Sequence, residues 1–179
     1  MTLEPIDMNL REELLKEHSK TQCTKIVNWV CSSQERFDEL FECFVRNEYR
    51  IVQRAAWPLG YIVRAHPNLI RKHWSRFFSN LQQPNLHNAV KRNSLRFLQD
   101  IDIPKKYQGI AMDCCFKMLT APDEAIAIKV FAMSVLDNLS RHYPDIRNEM
   151  KMIVLEQLPH QSTGFKSRAK KIFRNEGLS

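Results

Sequence analysis

The sequence predicts an all-α chain, an α-α superhelix of about four stacked helix pairs behind an N-terminal helical cap. Three observations predict it. Glycine is scarce, at 4 of 179 residues, and Leu, Arg, Lys, Glu, Gln and Met, the stronger helix formers, dominate. The prolines alternate between two roles. Pro67, Pro104 and Pro144 precede apolar-periodic stretches, while Pro84, Pro122 and Pro159 follow them. Their period is about 38 residues, a spacing that marks repeated helix pairs. Finally, one apolar triplet recurs. Leu40, Phe41 and Phe44 are followed by Phe77, Phe78 and Leu81, by Cys114, Cys115 and Met118, and by Val154, Leu155 and Leu158. The i, i+1, i+4 spacing puts each triplet on one stripe of a helix.

The elements follow in order. "MTLEPID" reads as a leader, and Leu10, Leu14, Ile26, Val27 and Val30 belong to one or two cap helices within 9–31. An end cap is expected because each repeat leaves an apolar face open. The first helices of the pairs are expected at 34–46, 67–82, 104–119 and 144–158, and the second helices at 48–65, 87–101, 122–141 and 162–174. At this length the chain reads as a single domain, 1–179. Its cap is 1–33 and its repeats are 34–66, 67–103, 104–143 and 144–179.

Each triplet is followed, 14 or 15 positions later, by a basic residue: Arg54, Arg92, Lys129 and Arg168. Arg50 and Arg54 share a helix face, as do Arg92 and Arg96, because residues four apart are helix-surface neighbours. Charge is also split along the chain. Residues 1–48 carry 6 Lys/Arg against 10 Asp/Glu, and residues 49–179 carry 21 against 10. Such asymmetry predicts an acidic end and a basic surface that attracts anionic partners.

The proline-bounded pairs and the stretches "RIVQRAAWPLG", "AVKRNSLRFL" and "AIAIKVFAMSVL" resemble HEAT or armadillo-type repeats. The resemblance spans 34–174 and departs from the HEAT pattern where Leu86 and Ser162 replace the acidic turn residue found as Glu48 and Asp123. It implies that the second helices line a concave face, which would carry Arg50, Arg54, Trp57, Arg92, Arg96, Lys129, Arg168 and Lys171 as ligand-binding residues. It equally implies an inter-repeat ladder. Asp100, Asp137 and Glu176 lie eight positions after Arg92, Lys129 and Arg168, and neighbouring repeats would pair them. Pro58 is the one proline inside a second helix. There it removes a backbone bond and crowds the preceding turn, at about 3 kcal/mol if uncompensated. A kink is expected, with Gly60 allowing a neighbouring helix to approach.

Two functions follow. One is a non-enzymatic scaffold for a protein or peptide partner. The other is a nucleic-acid-binding protein, in style similar to the HEAT-like DNA alkylation-repair glycosylases, with Asp100, Asp137 and Trp57 as candidate lesion-side groups. The basic stripe, including "FKSRAKKIFR", suits phosphates as well as carboxylates. Trp29, Trp57 and Trp74 are expected mainly as packing residues. Cys114–Cys115 falls on the apolar column and reads as core. No CxxC, HExxH or clustered Cys/His set is present, so no metal or other cofactor is expected. GxGxxG, GxxxxGK[ST] and GxSxG are also absent, leaving loop-glycine nucleotide binding and serine hydrolysis without support. The N-terminal stretch lacks the basic and apolar regions of a secretory signal. No run suits a membrane span. The odd count of 5 cysteines fits reduced thiols and a cytoplasmic location.

Overall fold

The computed structural model describes residues 8–46 and 48–177. The leader reading of 1–7 therefore lies outside the described residues. Among these there are ten α-helices and no strand. The chain forms two compact units, one ending at Phe97 and the other beginning at Leu98.

In the N-terminal unit the helices are α1 (Leu10–Lys16), α2 (Lys20–Val30), α3 (Gln34–Val45), α4 (Tyr49–Ala65), α5 (Trp74–Leu81) and α6 (Asn88–Leu98), whose last residue opens the second unit. The starts of α1, α2 and α3 are set locally. Asn9, Ser19 and Ser33 each accept a hydrogen bond from the backbone N–H three residues on, satisfying a donor the helix itself cannot. Glu13 is buried at the α1–α2 corner and accepts bonds from Lys16, Lys25 and Gln22. These partners, Lys16 first, push its carboxyl down to about 2.

Both α1 and α2 pack on α4, and α3 pairs with α4 along its length. The expected 67–82 helix is shorter than its apolar pattern. Residues 67–70 form a turn and 71–73 a 3-10 segment before α5 begins. Pro67 starts this turn, and the bonds Leu69 N–H to His66 O and His73 N–H to Ile70 O span three residues rather than four. Tertiary contacts hold it: Leu69 and Ile70 are buried, and His73 stacks on Phe41 at 4.2 Å while its Nε2 lies 2.7 Å from Asp38 Oδ1. Helix α4 continues across Pro58, which is buried.

The C-terminal unit holds α7 (Lys105–Thr120), α8 (Ile126–Ser140), α9 (Asp145–Gln157) and α10 (Thr163–Ile172). Helix α8 is central, packing against α7, α9 and α10. The first three apolar triplets are buried throughout. Of the fourth, Val154 is fully buried but Leu155 and Leu158 are only half-buried. Cys114 and Cys115 sit in the core as expected. Burial pushes the Cys114 thiol up to about 11 and Cys115 further in the same direction.

Arg147 of α9 fastens the end of α10. It donates to Asp137 at 2.7 Å, to Glu176 at 2.5 Å and to the Ile172 carbonyl at 2.9 Å, and its guanidinium lies over the Phe173 ring.

Candidate functional site

Helix α4 presents Arg50, Arg54, Trp57, Tyr61 and Arg64 at intervals of four, three, four and three residues. That spacing keeps all five on one helix face. Arg50 is exposed. Arg54 is half-buried and donates to the Leu14 carbonyl at 2.9 Å, satisfying an acceptor in the last turn of α1. Trp57 is half-buried with its ring 5.2 Å from that of His18.

Beside α4 runs α6, with Arg92 exposed and Arg96 half-buried. The guanidiniums of Arg64 and Arg96 lie 4.9 and 6.0 Å from the centroid of Tyr61. This geometry favours cation–π attraction. Arg64 also donates through Nε to the Gly60 carbonyl at 3.2 Å.

Between the two helices is a shallow depression, too narrow to admit a water molecule, lined by Trp57, Gly60, Tyr61, Arg64, Asn93, Arg96 and Phe97, with no carboxylate among them. Gly60 is not required by close packing. A Cβ there would sit 3.7 Å from Asn93 O and 4.0 Å from Phe97 Cδ1, ordinary contacts.

The corresponding basic residues of the C-terminal unit are arranged differently. Lys129 is 2 % exposed, and its Nζ donates to Gln157 Oε1 at 3.0 Å, while Gln157 Nε2 donates to the Leu119 carbonyl at 2.9 Å. Its expected place on the ligand-binding stripe is therefore corrected. The ammonium faces inward and ties α8 to the ends of α7 and α9. Arg168 is half-buried and donates to Ser134 Oγ at 2.8 Å. Lys171, one turn on, is exposed.

The expected ladder also takes another form. Asp137 and Glu176 pair with Arg147, not with Lys129 and Arg168. Among the described residues Arg92, Lys170, Lys171 and Arg174 make no ion pair.

Two clefts open in this unit. One, of about 520 Å³, is lined by the 98–103 connection, by Val135, Asn138 and Leu139 of α8, and by Gln108, Arg141 and His142. The other, of about 270 Å³, lies among Gln99, Asp100, Ser134, Asp137, Asn138, Arg168, Lys171 and Ile172.

Sequence reasoning nominated Arg50, Arg54, Trp57, Arg92, Arg96, Arg168 and Lys171 beside Lys129. The structure brings Trp57 and Arg96 to one depression and Arg168 and Lys171 to another. Sequence reasoning missed Tyr61 and Arg64, although their spacing from Arg50 carried the signal. It also missed Arg147, whose role depends on partners distant in the chain.

Among the described residues no group of three or more His, Cys, Asp or Glu is placed to hold a metal ion. No described helix is long and apolar enough to cross a membrane.

Comparison with known families decides the class of this arrangement. The HEAT repeat domain matches residues 10–176. The chain belongs to the HEAT repeat family. No curated protein and no solved structure matches it. HEAT repeats commonly serve as scaffolds for protein interactions, and the match extends over the cap helices α1 and α2 as well as the four pairs of this HEAT repeat protein.

Proposed function

We propose that this HEAT repeat protein is a non-enzymatic scaffold that binds an acidic protein or peptide segment through α4 and α6. One observation carries the reading: the depression between these helices is lined by two guanidiniums, of Arg64 and Arg96, and three aromatic side chains, Trp57, Tyr61 and Phe97, with no carboxylate in its lining. Arg92, exposed and without an ion pair among the described residues, extends the same positive field one turn along α6. Arginine prefers carboxylates because its planar fork donates two parallel hydrogen bonds. The neighbouring rings add apolar area to such a contact.

A nucleic acid also carries anions. A base stacking on Tyr61, however, competes with the guanidiniums of Arg64 and Arg96 already positioned over that ring.

Fluorescence anisotropy of a labelled decaglutamate, with single-stranded and duplex DNA as competitors across a salt series, tests the reading. Decaglutamate binds, and Arg92→Glu weakens it by about tenfold, roughly the effect of reversing one charge at a contact. The reading fails if decaglutamate does not bind at low salt. It also fails if DNA binds far more tightly, with the steep salt dependence of phosphate contacts.

A further inference from the structure

Helix α9 is covered less than the helices that hold its place in earlier repeats. In the α3 repeat, Phe41 and Phe44 are buried beneath the segment that follows. The His73 ring stacks on Phe41 at 4.2 Å, and the Phe77 ring lies 6.5 Å from that of Phe44. The same segment engages two carboxylates of α3. Lys72 Nζ donates to Asp38 at 2.5 Å, His73 Nε2 lies 2.7 Å from Asp38, and Arg76 pairs with both oxygens of Glu42. In the α7 repeat, Cys115 and Met118 are buried, and α9 packs on α7. The register of the apolar triplets carries the α3 positions onto α9. Phe41 and Phe44 correspond to Leu155 and Leu158, Asp38 to Met152 and Glu42 to Glu156. Among the described residues these positions stay open: Leu155 and Leu158 are only half-buried, and Met152 is 72 % exposed.

The open face carries one sign of charge. Asp145, Glu149, Met152 and Glu156 follow at intervals of four, three and four residues, which sets them on one stripe of α9. All four are exposed. None of the three carboxylates makes an ion pair among the described residues. The bases of α9 are turned to other partners. Lys151 donates to the Glu176 carbonyl, and Arg147 pairs with Asp137 and Glu176. Helix α10, which carries Lys166, Lys170 and Lys171, packs on α8. A methionine amid the carboxylates adds an adaptable apolar contact of the kind used at helix-binding surfaces.

We propose that the Met152–Leu158 face of α9 docks a basic amphipathic helix of a partner protein, seated as the first helix of another repeat would be. What covers α3 defines the pattern. His73 and Phe77, four apart, lie on the two phenylalanines, and Arg76 between them reaches Glu42. A partner with apolar residues at i and i+4 therefore covers Leu155 and Leu158, and its base at i+3 reaches Glu156. Met152 replaces Asp38, so the residue above it is apolar rather than a lysine. Further bases along the same helix meet Glu149 and Asp145. Helix-in-groove recognition of this kind needs only an amphipathic helix with the right spacing. The inference does not rest on the α4–α6 reading, which concerns the other unit and a ligand of opposite charge.

The test is titration of the full-length protein, labelled with ¹⁵N and with ¹³C in its methionine methyls. Two blocked helical peptides, each about five turns long, carry leucine at every third or fourth position and alanine between. One has lysine flanking the leucines, the other glutamate. The lysine helix shifts the Met152 methyl and the amides of Leu155 and Glu156, and binds about tenfold more tightly than the glutamate helix. Glu156→Lys, at an exposed position, removes that preference. Met152→Ala weakens the lysine helix roughly fivefold, as loss of a central apolar contact does. Arg92→Glu leaves both results unchanged. Equal or tighter binding of the glutamate helix overturns the proposal, as does the absence of shifts at Met152 and Leu155 with either peptide. Shifts of the Met152 methyl that grow with concentration of the protein alone give the face to a second copy, and overturn it too. Decaglutamate binding and its response to Arg92→Glu are read separately, so failure here and failure of the α4–α6 reading are distinct outcomes.

Discussion

Arg92 and Lys129 hold equivalent places in consecutive repeats, each 14 or 15 residues after its apolar triplet. The structure uses them in opposite ways. Arg92 is exposed, beside a depression free of carboxylates. Lys129 is buried against Gln157. The wider surroundings repeat the contrast: α4 and α6 gather arginines and rings, whereas in the C-terminal unit Arg147 pairs with Asp137 and Glu176. A repeat pattern thus specifies where a basic side chain leaves the helix. What that side chain meets depends on residues 28 to 40 positions away, as with Gln157 for Lys129 and Leu14 for Arg54.

The largest effect that bears on this contrast is expected at Lys129. Lys129→Ala removes a buried stem and one of the two bonds to Gln157 Oε1, leaving only that from Gln161, at about 2–4 kcal/mol by the usual cost of large-to-small core changes. Arg92→Ala stays within about 0.5 kcal/mol, as surface substitutions do. Urea denaturation of both variants measures the difference, and equal losses would break the contrast.

Next in size is Arg147→Ala. It strands Asp137 and Glu176 and releases the Ile172 carbonyl, for about 2 kcal/mol at a partly buried charged hydrogen-bond hub. Increased amide exchange confined to α10 would tie that loss to the helix carrying Arg168 and Lys171; unchanged exchange there would show that Arg147 does not hold α10.

The smallest effect is expected at Gly60→Ala. Its Cβ fits in ordinary contact, so the variant gains up to about 1 kcal/mol of helix propensity. A lower melting temperature would mean that α4 and α6 need the glycine after all, and decaglutamate binding by the same variant sharpens the point.

Much of the fold is legible in sequence because helix boundaries have local causes. Ser19 and Ser33 cap their own helices. Pro104 and Pro144 occupy the N-cap positions of α7 and α9. The apolar triplets find the buried stripe in three of four repeats. The 67–73 segment was less legible. Its apolar residues fit a helix, and only the Pro67 turn and the pull of Asp38 and Phe41 on His73 explain the late start of α5.

The candidate sites were legible in part, through the four-residue spacings of Arg50 with Arg54 and Arg92 with Arg96. Tyr61 and Arg64 extend the first spacing by the same helix geometry. The lining of the C-terminal clefts was not legible, because residues such as Gln99 and Lys171, which share one of them, are far apart in the chain and no local rule relates them.

By itself the sequence determined that the chain is helical, the order and approximate span of its helix pairs, and the apolar face of the first three. Propensity, capping and periodicity act over a few residues and are written into adjacent letters. Only the tertiary structure decided which basic side chains reach solvent and which are consumed. That outcome depends on the carbonyls, amides and carboxylates that packing brings within about 3 Å of them, the range in which a hydrogen bond forms.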